Sequence, residues 1–210
     1  MNSESVLITG AFGQLGKLCT EILLRRGHTV IGVDLHSDSS EAAAAALTDT
    51  AQPGRLIPEF TDLTDADAVA GAVGRHHPAA IVHLAAIVSP PSYRNPRLAR
   101  RVNVGGTRNL VTAAQLLSDP PLIVFASSAA VYGSRNPIRR PERITGDTPV
   151  NPIDQYGEDK VMAETVIADS GLPHAVLRLA GIVSPDGAGN LDTDYCSWCE
   201  PLRQTTECTR

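Results

Sequence analysis

Tyr156-Gly157-Glu158-Asp159-Lys160 sets a phenol and an ammonium four residues apart, a spacing that shares one face of a helix. A nearby ammonium stabilises phenolate, so such a tyrosine can exchange a proton with a hydroxyl or carbonyl near neutral pH. Ser127-Ser128 ends an apolar run. A serine hydroxyl at a strand end can hydrogen-bond the reacting oxygen. Taken alone, Tyr-x-x-x-Lys is common and is more often a solvated helix face.

A second motif gives it weight. Gly10-Ala11-Phe12-Gly13-Gln14-Leu15-Gly16 follows an apolar run and opens an amphipathic one. In a strand–turn–helix setting the three glycines serve different ends. Gly10 makes the tight turn, Gly13 lets a pyrophosphate reach the backbone, and Gly16 lets helix and strand pack closely. Phe12, Gln14 and Leu15 complete the candidate cradle, whose amides would face phosphate charge at the helix start. Asp34, at the end of the next apolar run, would accept hydrogen bonds from ribose hydroxyls and repel a 2′-phosphate. No arginine follows Asp34 closely, which favours NAD over NADP.

These residues need a scaffold. Ser5–Thr9, Thr29–Leu35, Arg55–Phe60, Ala79–Ala85, Leu122–Ala126 and His174–Leu179 read as strands. Helical spacing lies between them: Gly13 to Arg26 with Leu15, Leu18, Ile22 and Leu23 on its inner face, Ala42–Leu47, Asp65–His76 capped by Thr64 or Asp65, Arg97–Leu117, and Gln155–Ser170. Apolar strands alternating with helices predict an α/β fold, a Rossmann-type doubly wound parallel sheet. The proline-rich stretch from Pro137 to Pro152, with Arg139, Arg140 and Arg143, reads as a loop.

Composition excludes several classes. The 210 residues carry a net charge of −5 and are 42% hydrophobic and 20% charged. That leaves no basic footprint for nucleic acid and no polybasic membrane patch. No run approaches a spanning helix, and the polar start is not a signal peptide, so a cytoplasmic protein with reduced thiols is expected.

With the glycine loop, the strand-end serines and Tyr156–Lys160 in place, the chain resembles the extended short-chain dehydrogenase/reductases, the NAD-dependent epimerase/dehydratase family. The matching segments run in family order: Thr9–Gly16, Asp62-Leu63, His83–Ala86, Asn103–Leu110, Ser127–Gly133 and Tyr156–Lys160. The resemblance implies Ser128, Tyr156 and Lys160 as the catalytic set, with Lys160 also on the nicotinamide ribose. It places Asp62 and Leu63 at the adenine, Ala85 and Ala86 near the cofactor, and Asn103 in support of the cofactor side. It implies hydride transfer between NAD and a hydroxyl or carbonyl of a sugar-like or other small substrate, as in epimerases, dehydratases or dehydrogenases. It also implies a homodimer through a four-helix bundle of the Arg97–Leu117 and Gln155–Ser170 helices.

The family pattern breaks in two places. Nucleotide-sugar epimerases carry an aromatic–Asn pair after the Leu-Arg of the sixth strand, and here Gly181 stands at the Asn position. Further on, the matching text covers a dinucleotide domain at residues 1–187, and 188–210 form an atypical tail with Cys196, Cys199 and Cys208. Cys-x-x-Cys has zinc-knuckle spacing, but no fourth ligand follows, so no metal is expected. The tail can instead be back-translated so that a one-base shift reads as an ordinary apolar segment and turn. On that reading the substrate region is largely missing and turnover is weak or absent. A non-catalytic dinucleotide-binding regulator and a non-functional fragment are the alternatives.

Overall fold

The computed structural model describes residues 5–134 and 143–181. β1 (Ser5–Thr9) and β2 (Thr29–Asp34) are apolar on both faces and largely buried, as suits strands covered on two sides. β3 (Arg55–Phe60), β4 (Ala80–His83), β5 (Leu122–Ser128) and β6 (His174–Leu179) complete a parallel sheet in the order β3-β2-β1-β4-β5-β6. The order reverses between β1 and β4, where an open α/β sheet leaves a crevice at its carboxyl edge. The register there pairs Thr9 with His83, and His83 with Phe125.

Two apolar cores lie on opposite faces of the sheet. Ile8, Ala11, Phe12, Leu24, Val30 and Ala44 form the smaller, under α1 (Gln14–Arg25) and α2 (Asp38–Thr48). The larger gathers Leu7, Ile81, Ile123 and Phe125 with side chains of α3 (Ala66–His76), α6 (Thr107–Gln115) and α7 (Gln155–Ala168). Two short helices, α4 (Pro91–Arg94) and α5 (Pro96–Arg100), lead into α6. Local caps agree with this order. Asp65 caps α3 through the Ala68 amide, Asp154 caps α7 through the Gly157 amide, and Ser37 and Ser40 form a reciprocal box at α2.

The inner face of α1 differs from the expected one. Gly16, Thr20 and Leu24 are buried, while Leu18 is 52% exposed and Ile22 40% exposed. The cause is the close seat of the helix: a Cβ on Gly16 would stand 1.9 Å from the Gly10 carbonyl oxygen. The row through Gly16, Thr20 and Leu24 faces the sheet most closely, with Cys19 and the expected Leu23 packed beside it. The expected single helix Arg97–Leu117 is also broken into α5, a π-helical turn over Arg101–Gly106, and α6. The expected fourth strand ends at His83 rather than Ala85. Met162 lies on α7 with an exposed side chain. Arg139, Arg140 and the cysteines of the tail lie outside the described residues, as does the expected region 188–210.

Candidate active site

The glycine loop closes tightly over the crevice. Gly10 has φ +68°, and a Cβ there would meet the Ala85 amide nitrogen at 2.9 Å. Any other residue is excluded by strain and by space together. The same contact brings Ala85, just beyond β4, against the loop. Gly13 and Gln14 are exposed at the start of α1, Leu15 is half-buried, and no side chain caps the helix. Its first turn holds no acidic residue. An uncapped, acid-free helix start suits a phosphate.

Asp34 stands beside this cradle. One carboxylate oxygen accepts the Phe12 amide at 2.9 Å, which ties loop to strand, and the other accepts the Leu35 amide at 2.9 Å. Each oxygen keeps acceptor capacity for a ribose hydroxyl. Asp62 is exposed, and one of its oxygens accepts the Thr64 amide at 2.8 Å. Leu63 is buried, with its carbonyl held by the Asn109 amide group at 2.8 Å.

Beneath the crevice runs a line of hydrogen bonds. The Ala85 amide donates to Thr9 Oγ1 at 3.2 Å, and Thr9 Oγ1 is 2.6 Å from His83 Nδ1. His83 Nε2 is 2.9 Å from Thr107 Oγ1, which donates to the Asn103 carbonyl at 2.6 Å. The proton of Thr107 is thus committed, so His83 carries its proton on Nε2 and accepts the Thr9 hydroxyl at Nδ1. Burial, with Lys160 nearby, pushes His83 down to about 3. The imidazole is neutral and fully engaged in structural hydrogen bonds.

Asn103 extends the line. It is buried in the π-helical turn, and its side-chain amide bonds both the amide and the carbonyl of Ile87, at 2.8 and 3.0 Å. Segment 84–87, with half-buried Ala85 and Ala86, is therefore held as if by a neighbouring strand. π-helical turns concentrate at functional sites. The sequence supplied Asn103 only through the family resemblance, since its pattern is that of a plain helix.

Ser128, Tyr156 and Lys160 come from two elements that touch. A Cβ on Gly157 would lie 2.8 Å from the Ala130 carbonyl oxygen. α7 is thus pressed onto the 3₁₀ turn Ala129–Tyr132 that follows Ser128. Ser128 Oγ accepts the Ala130 amide at 3.1 Å. Lys160 is 3% exposed. Its ammonium donates to the Ala126 carbonyl at 2.7 Å, lies 4.6 Å from the centre of the Phe125 ring and 5.8 Å from that of Tyr156. Burial lowers Lys160 to about 8, against an opposing pull from Glu164.

A doubly wound sheet with a glycine-rich turn at its reversal point is the architecture of dinucleotide-binding folds. The chain belongs to the NAD-dependent epimerase/dehydratase family, whose model matches residues 6–197; the cofactor of this enzyme family is NAD. It is 33% identical over 197 residues to a D-erythronate dehydrogenase of Cupriavidus necator, covering 89% of this chain and 57% of that protein. It is 33% identical over 162 residues to a UDP-glucose 4-epimerase of Mycolicibacterium smegmatis, covering 77% and 49%. A UDP-glucose 4-epimerase from Brucella ovis, solved in complex with NAD, superposes with TM-score 0.66 at 28% identity, covering 83% and 51%. The chain thus spans about half the length of the curated relatives it matches.

Proposed function

We propose that this chain carries the NAD site and the proton-transfer set of an oxidoreductase or epimerase acting on a hydroxyl or carbonyl of a sugar-like substrate. One observation carries the reading. A buried ammonium, lowered to about 8 and lodged under the Tyr156 ring, lies on a helix pressed against the turn that follows Ser128.

The backbone of Gly10, Phe12, Gly13, Gln14, Leu15 and Gly16 would hold the pyrophosphate, Asp34 the adenosine ribose, and Asp62 with Leu63 the adenine. Ala85, Ala86 and Asn103 would shape the nicotinamide side. Bound NAD supplies the hydride acceptor. Tyr156 takes the proton of the substrate hydroxyl, Ser128 hydrogen-bonds the same oxygen, and Lys160 favours the phenolate by its charge. The relatives include an aldonate dehydrogenase and sugar-nucleotide epimerases, so either class of hydroxyl is open to this reading. Gly181, in place of an Asn, favours a substrate outside the sugar nucleotides. The reading includes a cytoplasmic homodimer joined through α6 and α7; among the described residues no helix is long and apolar enough to cross a membrane.

Calorimetric titration with NAD and NADP tests the cofactor half. Saturable NAD binding, weaker NADP binding and loss of both in Gly13→Trp are expected. Incubation with NAD and a panel of aldonates and UDP-sugars tests the rest. Turnover that survives Tyr156→Phe would refute the assigned proton transfer.

A further inference from the structure

Helix α7 carries a carboxylate on the row of Tyr156 and Lys160. Glu164 lies one turn beyond Lys160 and is mostly buried, and it takes three donors. Ser127 Oγ, from the residue before Ser128, donates to Oε1. Arg178 of β6 forms a fork, Nε to Oε1 at 3.0 Å and Nη2 to Oε2 at 2.8 Å. The remaining arm of Arg178 reaches the Tyr132 hydroxyl and the Gly146 carbonyl, each at 3.0 Å. Tyr132 in turn donates to the Thr145 carbonyl at 2.9 Å. The guanidinium also stacks on the Tyr132 ring at 5.1 Å. One ion pair therefore ties β5, the turn after Ser128, α7, β6 and residues 145–146 together.

We propose that Glu164 and Arg178 are positioning residues for the proton-transfer site: their ion pair clamps the end of β5 to α7 and presents its negative end to Lys160. This rests on the assignment of Lys160 made above. The groups facing Lys160 bear it out. Tyr156 and Glu164 come from α7 itself. β4 offers His83, which is neutral, and β5 offers only the Phe125 ring and the Ala126 carbonyl. Asp159 turns to the other side of α7 and pairs with Arg100 at 2.8 Å. Glu164 is thus the one carboxylate among these groups that faces the ammonium, and Arg178 stands behind it as its partner.

The arrangement has a signature that a plain brace lacks. Removing the negative end leaves Arg178 unopposed, so Lys160 loses its proton at lower pH. Removing the positive end leaves Glu164 unquenched, so Lys160 holds its proton to higher pH. A brace alone would weaken the site in both cases without moving titration in opposite directions.

The test is NAD affinity of the purified chain by calorimetry from pH 6 to 10, because a Lys160 ammonium on the ribose binds less well once deprotonated. Wild type should lose affinity as pH rises through about 8, and Lys160→Met should flatten the curve. Glu164→Gln should move the midpoint down by about one pH unit and Arg178→Gln up by a similar amount, as expected for a single charge at side-chain range in a partly buried site. Ser127→Ala, which leaves the ion pair and deletes one hydroxyl, should move it up by a smaller step; it carries the test if either charge variant fails to fold. Midpoints that stay in place, or move the same way in both charge variants, overturn the proposal. A Lys160→Met curve equal to wild type overturns the assignment of Lys160 instead, and the proposal with it.

Discussion

The two halves of the sheet are built to different standards. Between β1, β2 and their helices the fit is backbone on backbone, set by Gly10 and Gly16, and both faces of the strands are covered. From β4 to β6 only the face under α3, α6 and α7 is fully packed. On the other face Val82, Leu84 and Val124 are half-buried, Leu122 is 43% exposed and Leu177 48% exposed. On the proposed reading the first half holds the cofactor, whose binding gains from rigidity. The second half carries Ser128, Tyr156 and Lys160, held by ion pairs and hydrogen bonds that leave one side open. Both halves use glycine for close approach, at Gly10 and Gly16 in the first and at Gly157 in the second; the second adds the ion pair of Glu164 and Arg178.

Substitutions can break or sharpen this contrast. The largest effect should come from Gly16→Val. Its new side chain meets the backbone of Gly10 and Ala11, so stability should fall by ~3 kcal/mol or more and calorimetric NAD binding should vanish. Ile8→Ala, fully buried in the same half, should cost about 2–5 kcal/mol in a denaturant titration.

The seam between the halves should respond to acid. His83 is lowered from its ordinary 6.5 to about 3, so the folded chain keeps it neutral where the unfolded chain protonates it. Its contribution is complete above about 6.5 and is lost as pH falls toward 3, at about 1.4 kcal/mol per pH unit. Urea midpoints followed through that window should show the slope, and His83→Gln should flatten it.

Asp34→Ala removes a carboxylate that bonds the loop at Phe12 and, on the proposed reading, the ribose. NAD affinity should drop about tenfold or more, the worth of a charged hydrogen bond, and the melting temperature should fall by a few degrees because the Phe12 amide loses its acceptor. The smallest effect belongs to the bare face: Leu122→Gln should change stability by less than ~0.5 kcal/mol. A loss comparable with that of Ile8→Ala would show that the two halves are packed alike.

The elements were legible because apolar runs and glycine stops are local. All six strands lie on the expected apolar runs, with β4 ending two residues early, and the glycine turn before α1 and the shared helix of Tyr156 and Lys160 follow from spacing. The orientation of α1 was not legible. Its leucines suggest one buried stripe, and the absence of a side chain at Gly16 dictates another. The π-helical turn escaped because one extra residue in a helix leaves no compositional mark. Gly157 and Glu164 escaped for a similar reason. The first matters only through the turn that presses on it, and the second only through Ser127 and Arg178, which are remote in sequence. Ser37 and Ser40 cap α2 by a local serine pattern, which the run of alanines after them overshadows in composition.

The line from Ala85 through Thr9, His83 and Thr107 to Asn103 has a consequence for traffic. Every hydroxyl and ring nitrogen in it already has its proton or lone pair engaged, all in the same sense. Such a chain conducts nothing unless all its members turn together, and a histidine that resists charge down to about pH 3 cannot start the turn. On the proposed reading, a proton lifted by Tyr156 is therefore not drained along this line of bonds.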